Sequence, residues 1–145
     1  MLANHIEINN INNTELSASE IIKKIANKTN IALAEHDIAD AYKNKKDKIF
    51  VEFTTFRKKS ELMSKLNRHR IDGSEINKND TNNNYIYIND RLTNSSKRLL
   101  WLAKNKAKQN NWKFVWVRHG VILARKEENQ TIIRIECESD IEKLN

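Results

Sequence analysis

Three tryptophans, Trp101, Trp112 and Trp116, lie within residues 84–126, a stretch that also holds ten basic residues against a single acid. Indole rings offer π-faces to nucleobases, and guanidinium or ammonium groups meet phosphate oxygens, so this mixture suits an unpaired polynucleotide. A second stretch, residues 42–70, carries ten basic residues against three acids. The remainder is acidic, with net charges of −3 for residues 1–41, −2 for 71–83 and −4 for 127–145. The total of +7 is thus gathered into two blocks, the pattern of a localised polyanion-binding face. Lysines that only solvate amphipathic helices give similar runs, and that alternative is harder to sustain for the block with the tryptophans.

Catalytic chemistry has weaker signals. His5, His36, His69 and His119 fall in four separate elements, and none has the spacing of a metal-binding pair. Cys137 stands between Glu136 and Glu138, whose charges work against an anionic sulfur nucleophile. The acids Glu127, Glu128, Glu136, Glu138 and Asp140 read as a solvated edge in preference to a divalent-ion site. With no proline and only Gly73 and Gly120, the chain cannot build a glycine-rich phosphate loop. One cysteine excludes an intrachain disulfide and a multi-cysteine zinc site. No catalytic residue, metal or cofactor is expected. No apolar run is long enough to span a membrane and the start lacks signal-peptide anatomy, so an intracellular protein, nuclear or cytoplasmic, is expected.

The elements that position these residues follow from periodicity. The fold class is α+β, with an N-terminal unit over residues 1–80 and a C-terminal unit over 84–145. Residues 5–11 alternate as a strand, 12–14 turn, and Ser17 or Ser19 caps a helix to about residue 28. Residues 37–42 form a weaker strand and 48–54 a strong one. A helix over about 57–70 follows, and residues 71–76 close the set as a short strand. The order β-α-β-β-α-β is the ferredoxin-like arrangement of RNA-recognition motifs. Such motifs stack bases on aromatic residues of the open sheet face. Here Glu7 stands where the first motif has an aromatic and Lys48 where the second does, leaving Phe50 beside Glu7 and Glu52. The unit is a degenerate RNA-recognition fold, and Phe50 either stacks a base or packs against the second unit. Lys43, Lys45, Lys46 and Lys48 near the turn, and Arg57, Lys58 and Lys59 at the helix start, suit phosphate contacts that read no sequence.

Residues 77–84 hold no apolar side chain and read as a linker. The C-terminal unit then reads β-α-β-β-β-α. It comprises a strand at 85–89, a helix to about 110 capped by Asn94 or Ser95, strands at 113–118, 121–125 and 131–135, and a short helix at 141–144 capped by Ser139-Asp140. His119-Gly120 is the hairpin turn. At ~100° per residue, Lys97, Trp101, Lys104 and Lys108 form one stripe, and Ser96, Leu100, Ala103 and Ala107 the opposing narrow apolar face, with Leu99 at its edge. Trp101 either docks within the protein or stacks a ligand. Across a two-residue turn, Phe114, Trp116, Arg118, Leu123 and Arg125 share one hairpin face, with Val115, Val117, Ile122 and Ala124 on the other. The first set is either a base-and-phosphate surface or a second minicore rimmed by arginines.

Residues 85–93 (Tyr-Ile-Tyr-Ile-Asn-Asp-Arg-Leu-Thr), Leu99-Leu100, Ala103-Lys104, residues 113–118 (Lys-Phe-Val-Trp-Val-Arg), Gly120, Ile122 and Arg125-Lys126 resemble the C-terminal domain of the baculovirus few-polyhedra (FP) family. Ile6-Glu7-Ile8, Asp37-Ile38 and residues 48–53 resemble the segment that precedes that domain. The layout is also similar to the first-open-reading-frame proteins of LINE-type retrotransposons. That second likeness implies single-stranded RNA or DNA as partner, a chaperone role, and a polyanion groove formed by the two units. Arg91, Arg98, Arg118, Arg125 and Lys126 are the residues it carries over. The FP likeness equally allows a viral or transposon-derived factor that binds a protein partner or self-associates. Both families usually carry a coiled coil upstream, whereas this sequence enters its first strand within five residues, a departure that weakens the implied trimerisation.

Overall fold

The computed structural model describes residues 2–11, 15–66, 70–77 and 84–145. The turn read at 12–14, the helix end at 67–69 with His69, and the linker at 78–83 lie outside the described residues. The chain divides into two compact units, Ala3–Arg91 and Leu92–Asn145, the latter joined by Leu2.

In the first unit, alternation sets the sheet. Strand β1 (His5–Asn9) buries Ile6 and Ile8, and β3 (Ile49–Phe53) buries Ile49, Val51 and Phe53. The two pair antiparallel with Ile6 opposite Val51 and Ile8 opposite Ile49, so the inward residues coincide. A one-residue slip would expose every one of them. Strand β2 (Ile38–Lys43) pairs with β3, with Tyr42 opposite Phe50. Helix α1 (Ala18–Lys28) starts at Ser17, whose hydroxyl accepts from the Glu20 N–H at 3.2 Å. It buries Ile21, Ile22, Ile25 and Ala26 at helical spacing. Helix α2 (Phe56–Leu66) buries Leu62, and also Lys59. Each fully buried isoleucine contributes about 1.5–3 kcal/mol relative to exposure.

Two expectations fail where this unit closes. Residues 71–76 are no strand: Gly73–Ile76 is a single helical turn, α3. Asp72 caps it, accepting from Ser74 N–H at 2.9 Å, while Glu75 accepts from Asp72 N–H at 2.8 Å. This capping box satisfies the turn's free amides, a local preference that outweighs the short alternation. The fourth strand is β4 (Tyr87–Asp90), which the periodicity had assigned to the C-terminal unit. It pairs antiparallel with β1, giving the sheet order β2-β3-β1-β4.

The second unit therefore begins with a helix. Helix α4 (Asn94–Gln109) is capped by Thr93, in place of the expected Asn94 or Ser95, and the Thr93 hydroxyl accepts from Ser96 N–H at 3.1 Å. Strands β5 (Phe114–Arg118), β6 (Val121–Arg125) and β7 (Ile133–Ile135) form an antiparallel sheet in that order. The last element is a 3₁₀ segment, Glu138–Lys143, in place of an α-helix at 141–144. Ala103, Ala107, Ile122, Ala124, Ile135 and Leu144 are its buried core. The unit is α-β-β-β followed by that 3₁₀ segment, in an α+β chain with two separate antiparallel sheets.

Candidate nucleic-acid interface

The hairpin of β5 and β6 is fixed by its turn. His119 and Gly120 both take positive φ, 52° and 78°, as a type I′ turn requires. The register is the expected one: Arg118 opposite Val121, Trp116 opposite Leu123, Phe114 opposite Arg125. Val115, Val117, Ile122 and Ala124 accordingly face α4, packed with Leu99, Leu100, Ala103 and Ala107. The outer face carries Phe114, Trp116, Arg118, Leu123 and Arg125, with Arg134 of β7 opposite Leu123. The Arg125 guanidinium lies 4.9 Å from the centre of the Phe114 ring, and its buried Nε has no hydrogen-bond partner among the described residues. A shallow depression of about 300 Å³ opens beside Lys113, Phe114, Trp116 and Arg125. Arg118 is exposed, whereas Arg134 is held 2.7 Å from Glu136.

The α4 stripe has the exposure its periodicity implies. Lys97, Trp101, Lys104 and Lys108 are all exposed, Trp101 at 63%. At ~100° per residue the stripe lies roughly 100° around the helix from the buried Ala103–Ala107 line, on a flank of the helix and not opposite the apolar face as expected. Arg98 falls outside it and pairs with Glu138 at 3.4 Å. Lys126 Nζ donates to the Asn145 carbonyl at 3.5 Å. The three tryptophans thus do three jobs: Trp101 is exposed on the helix and Trp116 half-buried on the outer sheet face. Trp112 packs against the core, its Nε1 donating to the Asn145 carbonyl at 3.1 Å.

On the open face of the first sheet, Phe50 is less isolated than its sequence neighbours suggest. The Tyr42 ring lies 5.2 Å from it, and Arg91 sits 4.2 Å above the Phe50 ring centre and 5.8 Å from that of Tyr42. Tyr87, opposite Asn9, shares this face and is exposed. Sequence reasoning missed both tyrosines; the signal was their parity with Phe50 and Asn9 across neighbouring strands. The acids are also partly answered, Glu7 by Lys48 at 3.4 Å and Glu52 by His5 at 3.5 Å.

Several expected phosphate contacts are engaged within the protein. Lys59 is fully buried and paired with Asp90, which removes it from any external ligand. Lys43 donates to the Leu16 carbonyl at 3.0 Å. Lys58 donates to the Ala32 carbonyl at 3.1 Å and pairs with Glu61 at 3.4 Å. Lys45 and Lys46 are exposed in the β2–β3 turn, and Arg57 in the first turn of α2. Among the described residues no group of three or more His, Cys, Asp or Glu is placed to hold a metal ion. No helix among them is long and apolar enough to cross a membrane.

Residues 93–145 match the family model described as baculovirus FP protein domain 2. The match begins at the Thr93 cap and takes in α4, the hairpin and β7. No curated protein matches the chain.

Proposed function

We propose that this chain, whose residues 93–145 match baculovirus FP protein domain 2, is a non-enzymatic binder of single-stranded RNA or DNA. The observation that carries the proposal is the outer face of the β5–β6 hairpin. Phe114 and Trp116 supply rings for bases, and Arg118 and Arg125 supply guanidinium groups for phosphates. Arg125 lies over the Phe114 ring, so its guanidinium is oriented by the protein beside the aromatic surface. Contacts of this kind position a strand without reading its sequence, so binding is sequence-tolerant and sensitive to salt.

The first unit supports the same function as a degenerate RNA-recognition fold. Its strand order β2-β3-β1-β4, with helices after β1 and β3, favours that assignment. The Tyr42–Phe50–Arg91 cluster on the open face adds stacking surface. Likeness to retrotransposon first-open-reading-frame proteins, and with it a chaperone role inside the cell, rests on layout and charge.

Titration of labelled single- and double-stranded RNA and DNA at two salt concentrations tests the proposal. Single strands should bind best, with a log–log salt slope of about −0.7 per phosphate contacted. Replacing Arg118 and Arg125 together by Ala should weaken binding by more than about tenfold and flatten that slope by about 1.4. Unchanged affinity and slope in the double variant would falsify it.

A second reading has its own observation: Leu123 on the outer face and the exposed Ile132 just before β7 offer aliphatic surface that a protein partner would cover. It requires capture of a protein that survives nuclease and is lost in Trp116→Ala.

A further inference from the structure

Two surfaces of the C-terminal unit carry the same kind of chemistry and belong to different layers. One is the outer face of the sheet, with Trp116, Arg118 and Arg125. The other is the α4 flank, with Trp101 between Lys97, Lys104 and Lys108. Helix α4 packs through Ala103 and Ala107 on the inner side of that sheet, against Ile122 and Ala124. The sheet itself therefore stands between the two sets. Packed layers are spaced by roughly 10 Å. A nucleotide stacked on Trp116 therefore lies on the side of the sheet that faces away from α4 and its Trp101.

Each surface is complete by itself, with a ring for a base and at least two cations for phosphates. The helix stripe runs about 16 Å along the axis at 1.5 Å per residue, enough for several phosphates of one strand. None of its three lysines forms an ion pair among the described residues, unlike Arg98 beside it. Residues 92–145 hold eleven basic side chains against six acids.

We infer that the C-terminal unit holds two single strands at once, one on the outer sheet face and one on the α4 flank, and so bridges them. The inference rests on the nucleic-acid reading above and adds valency to it. Each strand meets one ring and one set of cations, and the two are joined only through the hydrophobic core between helix and sheet. The energetic consequence is avidity: a long strand touching both surfaces binds more tightly than a short one restricted to either.

The test is co-capture with the full chain. An oligo-thymidylate of about eight nucleotides, within the usual site size of a single-strand-binding fold, is immobilised on beads. A second, fluorescent oligo-thymidylate of equal length cannot pair with it. The native chain should retain the fluorescent strand on the beads and reach two strands per chain at saturation. Two variants separate the surfaces: Lys97→Glu/Lys104→Glu/Lys108→Glu on the helix and Arg118→Glu/Arg125→Ala on the sheet. Each should still bind one strand, with circular dichroism matching the native chain, and each should lose co-capture by about tenfold or more. Co-capture that persists in both variants overturns the inference, because the first unit or a second copy of the chain then supplies the second site. Saturation at one strand per chain, with both variants weakening the same strand, also overturns it in favour of one wrapped strand. No binding of either strand by the native chain overturns the nucleic-acid reading itself.

Discussion

Lys59 and Asp90 form an ion pair inside the first unit, joining α2 to β4, with Lys59 fully buried. The same ammonium donates to the Ala3 carbonyl at 2.7 Å, so one lysine ties the start of the unit to its end. Taking two charges out of water is costly, and their attraction with added hydrogen bonds offsets that cost only while both partners remain. Lys59→Met leaves a carboxylate of low exposure without its cation and should lower unfolding stability by about 3 kcal/mol or more. The pair Lys59→Met/Asp90→Leu should recover much of the loss. Urea unfolding of the three chains measures both effects. A Lys59→Met chain as stable as the native one would show that the pair holds nothing together.

The tryptophans should separate stability from binding. Trp112 packs against the second core and donates to the Asn145 carbonyl, so Trp112→Ala should cost about 3 kcal/mol. Trp101 is exposed, and Trp101→Ala should leave the unfolding midpoint almost unchanged while weakening single-strand binding by about 1–3 kcal/mol. Trp116→Ala should do some of each. Thermal melts and anisotropy titrations of the three variants decide it, and equal melting losses for Trp101 and Trp112 would contradict their different burial.

These assignments show what the sequence makes legible. The hairpin register was readable because a two-residue turn fixes every opposite pair, and inner and outer residues then follow by parity. The exposed stripe of α4 was readable because helical spacing is local. Burial of Lys59 was not, since it depends on β4 arriving from thirty residues downstream with Asp90 facing inward. Placement of β4 itself failed for a related reason: alternation marks a strand but not its sheet. The Asp72 capping box outweighed strand pattern at residues 71–76, and the side-chain types that signal such a box, Asp three residues before Glu, are present there.

Gly120 is the one glycine whose conformation the turn demands. Its φ of 78° is strained for any side chain, but a Cβ there would meet nothing within 4 Å among the described residues. Gly120→Ala should therefore cost only the backbone term, about 1–2 kcal/mol. Gly120→Asn, which tolerates this region better, should recover part of it. Gly120→Val should be worst of the three. Chemical unfolding gives the order, and a Val variant equal to Ala would mean the turn relaxes out of type I′.

Asp140 offers a pH-dependent counterpart near the C-terminus. Its carboxylate accepts from the Glu136 and Cys137 amides at 2.8 and 3.3 Å and pairs with Lys143 at 2.9 Å. The Glu136 amide first, and then Lys143, pull its pKa down from 3.8 to about 2. A carboxyl depressed in the folded state contributes stability that is fully present above its unfolded pKa and lost as pH falls through the folded one. The contribution of Asp140 should thus be complete above pH 3.8 and disappear by about pH 2. Asp140→Asn keeps one acceptor oxygen and removes the titration, so native and variant stabilities should converge as pH falls through that window. Fluorescence-monitored unfolding of both chains between neutral pH and pH 2 measures the difference directly, cancelling carboxylates common to both. A constant gap across the window would assign the effect of Asp140 to shape, with its charge contributing nothing.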